Sequence, residues 1–397
     1  MGGREARRMC SRLNLRTMMC KRKGLVLMAL SLVCSLPAYS QGLWQRFTAW
    51  LTEGSDVDTA YIYERPARLT LSLDASVMHV SADMGAEFTL LYTATDGDQT
   101  ITEQLPATIS NTLSRSINGG LGASIGYGKL GIGYGFDLGP ANSAGNGSAS
   151  FGYQGHKWGI AMNYYGVSRR ATHSVQVGND STHYSLSYQT PTAEAASVQR
   201  LSGDAYWIIR RDRFAYTAAY SSDMLQRRSA GSVLVCAQML LGSVATESAD
   251  TLSPLTAYKG YTTFQSSVGV GYSHNIVFLH RDGDGRASRG LRNITLNLTI
   301  LPVLSVINML EATPADGSDG VRANCLPSPN ATARVGLGAT FGRLFLSLQY
   351  RHCFIYLHSA GGIDAQAFAS GNGQVDNLAL RGTFQDWNIT LKTTLNL

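Results

Sequence analysis

The sequence is poor in charged residues. Asp, Glu, Lys and Arg make up only 15% of its 397 residues, whereas about 25% is usual for soluble domains. It is rich instead in glycine, with 42, and in tyrosine, with 19. This combination favours a membrane β-barrel over a soluble enzyme.

The excess of basic residues is confined to the N-terminus. Residues 1–40 contain eight of the 33 Lys and Arg residues and one of the 27 Asp and Glu residues, so the remainder has 25 basic and 26 acidic residues. That remainder lacks the clustered Lys and Arg of a nucleic-acid interface, so no nucleic-acid partner is expected.

A secretory signal peptide accounts for the N-terminal charge. Lys21–Lys23 forms a basic start, Gly24–Leu36 an apolar core, and Pro37–Ser40 ends in small residues suited to cleavage. We therefore predict that residues 1–40 are a cleaved signal, with 1–17 an over-extended start if translation begins at Met18 or Met19. Cys34 follows Val33 rather than a small residue, which disfavours lipid attachment there.

Long apolar runs and paired cysteines are also missing after residue 40. No stretch has 18 consecutive apolar residues, so the sequence predicts no transmembrane helix. Cys236, Cys325 and Cys353 are odd in number and far apart, which allows at most one disulfide and favours free cysteines.

Residues 43–51 show a helical period. Leu43, Trp44, Phe47, Trp50 and Leu51 share one helix face. We predict a short amphipathic periplasmic helix within 41–57, which either packs against the end of the following domain or anchors at a membrane surface.

From residue 58 to 397 the period changes to two, as in β-strands. At 117–138, across a predicted type II′ turn at Gly128-Lys129, one face is large and apolar while the other is mostly glycine and serine. Lipid outside and a crowded lumen inside would produce this pattern. The other predicted strands are 68–78, 147–155, 157–168, 199–210, 213–221, 230–242, 262–274, 290–301, 331–341, 344–357 and 387–397.

The sequence therefore predicts an all-β, antiparallel transmembrane barrel of about 12 strands, with 10–14 plausible, inserted in an outer membrane with both termini periplasmic. In this interpretation Arg211-Asp212 joins 199–210 to 213–221 as a hairpin. Polar, glycine-rich loops are predicted at 96–106, 139–146, 190–198, 243–260, 281–290, 311–330 and 359–375. The chain stops inside an apolar strand at Leu397, and we expect barrel-insertion machinery to recognise that strand.

Motifs for chemistry are weak. His79 with Ser81, and His183 with Ser185, would share strand faces, so a histidine could activate a serine nucleophile, although no acidic partner is identifiable. Asp282 and Asp284 resemble part of a calcium loop that lacks its closing glutamate. No cofactor motif is found, and the aromatic residues near strand ends predict interfacial girdles or, alternatively, sugar-stacking platforms.

Three stretches resemble an uncharacterised family, a domain of unknown function, of predicted outer-membrane barrels from Gram-negative bacteria. They are 58–62, 213–220 with 226–232, and 270–272 ahead of the strand at 290–301. The resemblance implies location and architecture, with outer-membrane lipids as surroundings, and carries over no catalytic residue.

Three functions remain open on the sequence. The leading hypothesis is a non-enzymatic barrel that is structural, binds a ligand or passes a small solute. The alternatives are a membrane-embedded lipid or lipopolysaccharide hydrolase that uses a His-x-Ser pair, and a soluble periplasmic β-sandwich that binds a ligand. The glycine-lined strands favour a narrow lumen.

Overall fold

The computed structural model describes residues 56–96, 99–113, 116–138, 147–178, 186–245, 258–281, 291–314, 321–359 and 374–397. The predicted signal peptide and most of the predicted helical segment at 41–57 lie outside these residues, so those boundaries stay predictions. Within these ranges, no helix has the length and apolar character needed to cross a membrane.

Sixteen strands form within the described ranges. In chain order they are β1 (Ile62–Glu64), β2 (Leu69–Asp96), β3 (Gln99–Leu113), β4 (Ser116–Tyr127), β5 (Leu130–Asp137), β6 (Gly147–Gln154), β7 (Trp158–Val177), β8 (Leu186–Ile208), β9 (Met224–Gln226), β10 (Ala230–Ala245), β11 (Tyr258–His280), β12 (Leu291–Pro314), β13 (Val321–Asn324), β14 (Pro329–Phe341), β15 (Leu344–His358) and β16 (Gln374–Asn396).

Twelve of these strands close into a ring. The pairing order is β2, β4, β5, β6, β7, β8, β10, β11, β12, β14, β15 and β16, and β16 pairs antiparallel with β2. The predicted barrel of about 12 strands is therefore confirmed. The soluble β-sandwich alternative is wrong, because a sandwich consists of two sheets and here one sheet returns to its own first strand.

The ring has two different ends. Leu69 and Leu397 meet at one of them, the terminal end, where the Leu397 amide donates to the Leu69 carbonyl at 3.0 Å. Toward the opposite, distal end, β3 continues the direction of β4 and pairs with both β2 and β7. The short β5–β6 hairpin is inserted only beside the terminal half, so the distal half of the wall has two strands fewer.

The outer face of the terminal half is apolar. On β2 it presents Leu69, Leu71, Leu73 and Val77, with Leu73 69% exposed. This stretch is about as long as the 9–11 residues that a tilted strand needs to cross a bilayer. The facing side of the lumen wall is small, as predicted: a Cβ added to Gly122 would meet the Asp74 carboxylate at 2.5 Å.

The apolar positions change phase beyond this band. On β2 the large side chains occupy odd positions up to Val77, and from Val80 to Phe88 they occupy even positions that are buried inside the ring. On β16 the same change separates the outward Ile389 and Leu391 from the buried Leu380 and Phe384. On β2 and β16 the terminal half is thus apolar outside, whereas the distal half is apolar inside.

The predicted hairpin between 199–210 and 213–221 is wrong. Strand β8 pairs with β10, while residues 209–223 form turns that enter the lumen from the terminal end. All residues from Phe214 to Ala219 are buried, so the apolar alternation that suggested a strand came from a compact segment packed on all sides.

The loops predicted at 96–106, 190–198 and 311–330 are also wrong, wholly or in part. Residues 99–106 belong to β3 and 190–198 to β8, while 311–314, 321–324 and 329–330 belong to β12, β13 and β14. The segments at 99–106 and 190–198 extend the distal half of the wall, and on β3 the exposed positions include the polar Thr102 and Gln104. Their composition therefore resembles that of a surface loop.

Gly271 tests how tightly the wall is packed. A Cβ added there would meet the Ile300 carbonyl oxygen at 2.3 Å, whereas one added to Gly131 has its nearest neighbour at 4.0 Å. We expect Gly271→Ala to destabilise the barrel by about 1–3 kcal/mol, the usual cost of overpacking. Gly131→Ala is the matched control and should unfold like the unmodified protein when the loss of the compact, unboiled gel form is followed against temperature. Equal transition temperatures for the two variants would contradict the packing argument.

Candidate functional site

A plug closes the lumen at the terminal end. It consists of residues 58–65 and 209–229, which are joined by the β1–β9 pairing. Phe214 and Tyr216 of the plug pack on the inner wall against Ile208, Leu234, Cys236, Leu301 and Val303. The plug therefore rests on an apolar patch of the lumen and is not a free surface loop.

Polar side chains of the wall bind the plug backbone. Asn275 Nδ2 donates to the Ala215 carbonyl at 2.7 Å, Asn293 Nδ2 to the Gln226 carbonyl at 2.8 Å, and Ser347 Oγ to the Ala219 carbonyl at 2.7 Å. These donors satisfy carbonyls of an irregular segment that would otherwise be buried without partners.

Gln226 organises the interior of the plug. Its Nε2 donates to the carbonyls of Arg213 at 2.7 Å and Arg228 at 2.9 Å, and its Oε1 accepts from the Ala215 amide at 2.9 Å. The residue has no exposed surface. Nearby, burial raises the pKa of the Asp223 carboxyl, while a hydrogen bond from Ser221 acts in the opposite direction.

An apolar core fills the distal half of the lumen. It includes Met84 and Phe88 of β2, Ile355 and Leu357 of β15, and Phe384 of β16, each less than a tenth exposed. Side chains from opposite walls meet there, so the distal half resembles the interior of a soluble barrel and leaves no open passage along that core.

A layer of charged side chains separates the apolar core from the part of the lumen on its terminal side. Arg200 Nη1 contacts Asp386 Oδ2 at 2.8 Å. Asp204 Oδ2 accepts from both Arg334 at 3.2 Å and Arg351 at 3.4 Å. Because these residues come from β8, β14, β15 and β16, the layer crosses the lumen and ties opposite walls together.

A chamber of about 390 Å³ lies between the plug and the charged layer. Its lining combines plug residues, members of the charged layer and the small polar wall of β6 and β7: Tyr216, Thr217, Tyr220, Arg334, Arg351, Asp386, Ser148, Ser150 and Asn163. Tyr206 Oη, Arg334 Nε, Arg351 Nε and Asp386 Oδ1 have no hydrogen-bond partner among the described residues. The chamber is therefore a pocket with unused polar groups, and it is the candidate site.

His79 and Ser81, which were singled out from the sequence, do not line this chamber. His79 and Ser81 share the outer face of β2, where His79 stacks on Trp387 with centroids 5.5 Å apart and Ser81 Oγ donates to the Gln385 carbonyl at 3.5 Å. His183, Ser185, Asp282 and Asp284 lie outside the described residues. The hydrolase and calcium hypotheses stay predictions, and no cluster of three metal-ligating side chains occurs in the ranges that the structure describes.

The chamber residues were missed because their partners are remote in sequence. Arg334 meets Asp204 across 130 positions, and Arg200 meets Asp386 across 186. The sequence did contain one signal for these residues. Arg334 and Asp386 are charged residues at inward positions of strand faces whose other side chains are mostly apolar or small. The free, buried cysteines Cys236, Cys325 and Cys353 agree with the unpaired cysteines expected from the sequence.

Comparison with known families identifies part of the chain. Residues 88–281 match the profile of a family described as a domain of unknown function, DUF4421. The matched region spans the wall from β2 to β11 and includes the plug segment 209–229, with Arg200 and Asp204 of the charged layer. No curated protein matches the sequence.

Several solved outer-membrane proteins resemble this chain in structure. The outer-membrane protease OmpT from Escherichia coli has 8% identity and a TM-score of 0.37, covering 83% of this chain and 97% of that one. The toluene transporter TodX of P. putida has 8% identity and a TM-score of 0.23 at 84% and 91% coverage. A FadL homologue of Pseudomonas aeruginosa has 9% identity and a TM-score of 0.20 at 83% and 90% coverage. At these values the likeness assigns no activity to the chain.

The Arg200–Asp386 pair provides a test of the charged layer. Its side chains are 4% and 11% exposed. We expect Arg200→Met to lower the free energy of unfolding by about 3–5 kcal/mol, because a carboxylate is left buried without its partner. Arg200→Met combined with Asp386→Leu should recover much of that loss.

The exposed pair Arg322–Glu311, joined at 2.7 Å, supplies the control. Arg322→Met should cost no more than about 1 kcal/mol. The measurement is urea unfolding of the refolded barrel in detergent, followed by tryptophan fluorescence. Similar losses for Arg200→Met and Arg322→Met would show that the layer does not hold the walls together.

Proposed function

We propose that the protein is an outer-membrane barrel that binds a small ligand in a closed lumen and does not act as an open diffusion pore. The observation that carries this proposal is the double closure of the lumen, by the plug at the terminal end and by the apolar core in the distal half. A chamber with unused polar groups lies between the two closures.

Membrane insertion is supported by the outer face. A soluble protein rarely exposes a large contiguous apolar patch, yet outward leucine, isoleucine, valine and phenylalanine side chains recur on the ring strands of the terminal half. Closure of β16 on β2 leaves no strand edge in this band, which a hydrocarbon environment requires. Export by a signal within residues 1–40 and insertion through the C-terminal strand are parts of the same proposal.

Fractionation tests the location. Expressed in a Gram-negative host, the protein should enter the outer-membrane fraction and migrate faster on a denaturing gel when unboiled than when boiled, because a folded barrel resists detergent until heated. Soluble periplasmic protein without a mobility shift would sink the membrane assignment.

Conductance tests the closure. In a planar lipid bilayer, the refolded protein should give no steady ohmic current, because the apolar core and the plug both obstruct the lumen. An established open porin, inserted in the same bilayer, is the positive control. A stable current through the unmodified protein would contradict the closed-lumen proposal.

The plug is expected to control access to the chamber from the terminal end. Ser150 lines the chamber from β6, so Ser150→Cys reports access there to a membrane-impermeant thiol reagent. Labelling should be slow in that variant and several times faster after the further change Gln226→Ala, which removes the plug's internal hydrogen bonds.

Two controls make the labelling result specific. The protein with only its buried native cysteines measures background reaction, and Gln265→Ala, on β11 outside the plug, measures the effect of losing a buried glutamine elsewhere. Equal labelling rates with and without Gln226→Ala, in barrels that still show the gel shift, would mean that the plug does not guard the chamber.

A further inference from the structure

The charged layer contains more guanidinium groups than carboxylates. Arg200, Arg334 and Arg351 are joined by ion pairs to only Asp204 and Asp386. One positive charge in this layer is therefore without a carboxylate of its own. Buried charges are normally paired, because removing them from water is costly.

The excess charge is located on β14 and β15. Arg334 and Arg351 lie directly opposite each other in the ladder between these strands, and both point into the lumen. Like charges in this position repel each other, and the two share a single oxygen of Asp204. That carboxylate comes from β8, on the far side of the lumen. Neither Arg334 Nε nor Arg351 Nε has a hydrogen-bond partner among the described residues.

Two other carboxylates line the chamber. Asp74 lies directly opposite Lys392 in the β2–β16 ladder, and Asp137 accepts a hydrogen bond from Asn118. A ligand carboxylate would give Arg334 and Arg351 an acceptor besides Asp204 Oδ2, and its single negative charge matches the one guanidinium group of the layer that has no carboxylate of its own.

The remaining polar groups indicate hydroxyl groups on the ligand. Asp386 Oδ1 lacks a donor, and Tyr206 Oη lacks any partner within the described part of the chain. Asp386 is 7% exposed, so this unused acceptor is buried. At roughly 30 Å³ per water-sized volume, the 390 Å³ chamber holds a ligand of about a dozen non-hydrogen atoms.

From this arrangement we infer that the chamber binds a small hydroxylated monocarboxylate, with its carboxylate against Arg334 and Arg351 and a hydroxyl donating to Asp386. Planar guanidinium groups suit a carboxylate because they offer parallel N–H donors. This inference rests on the proposed ligand-binding lumen and specifies the ligand class for that same site.

Binding of matched sugars tests the inference. Full-length protein refolded in detergent is titrated by calorimetry with D-glucuronate, and separately with D-glucose, which has the same ring and lacks the carboxylate. We expect saturable binding of glucuronate at one site, with glucose about tenfold weaker or more because it cannot form charge-assisted bonds to the arginines.

Two variants locate the site. Arg334→Gln and Arg351→Gln should each weaken glucuronate binding by about tenfold, whereas Arg343→Gln, in the exposed turn after β14, removes the same charge outside the chamber and should leave binding unchanged. All three variants must retain the mobility shift of a folded barrel, and two separate chamber variants guard against misfolding of either one.

The outcomes distinguish this inference from the function on which it rests. Equal binding of glucose and glucuronate, no binding of either, or unchanged binding in both chamber variants would overturn the monocarboxylate assignment, even with a folded and non-conducting barrel. A conducting or soluble protein would instead overturn the closed outer-membrane barrel itself.

Discussion

The pairing of β16 with β2 is the constraint on which the rest of the structure depends. An unpaired backbone group in hydrocarbon costs several kcal/mol, so the last strand of a membrane barrel must meet the first. Here that closure runs from Asn396 opposite Thr70 to Gln374 opposite Leu91. Once the register is fixed, the alternation of side chains decides which residues face inward. The positions of Asp74, Asp386 and Lys392 in the lumen follow from this closure.

The outer face and the lumen exchange apolar character part-way along β2 and β16, because the large apolar side chains move from outward to inward positions. On the terminal side of this inversion, Leu71 and Leu391 face outward and the lumen holds polar groups. On the distal side, Met84 and Leu380 face inward and belong to one apolar cluster. An apolar interior needs close packing. The β5–β6 hairpin does not extend into the distal half, where β3 pairs directly with β7, so the ring is narrower there. The charged layer lies at the transition, where polar contents give way to the apolar core. Its cross-lumen ion pairs join the walls at a level where the apolar core does not.

The sequence predicted the wall better than its contents. Alternation along 117–138, and the glycine of the Gly128-Lys129 turn, are local signals, and both appear in the structure, where Gly128 has a φ of 56°. The plug was mistaken for a strand because its packing partners are remote: Tyr220 Oη donates to Asn297, 77 positions away, and Ser347 Oγ donates to the Ala219 carbonyl across 128. Such contacts leave no periodic trace. The phase change between Val77 and Val80 is local, however, and it would have revealed the two halves of the barrel.

The two closures of the lumen are held by different interactions, and this difference indicates the end from which the chamber is more easily reached. Beside the apolar contacts of Phe214 and Tyr216, neutral hydrogen bonds from Asn275, Asn293 and Ser347 hold the plug to the wall. Each of these hydrogen bonds contributes only about 1 kcal/mol because water can replace it. The distal closure combines a packed apolar core with ion pairs of Arg200 and Asp204, whose disruption leaves charges buried without partners. We therefore expect opening at the terminal end to need less free energy than opening of the distal half. A ligand that neutralises Arg334 also acts at the plug, because Arg334 Nη1 donates to Tyr216 Oη at 3.3 Å. If the chamber binds its ligand as proposed, we expect its occupancy and the position of the plug to be linked through Arg334.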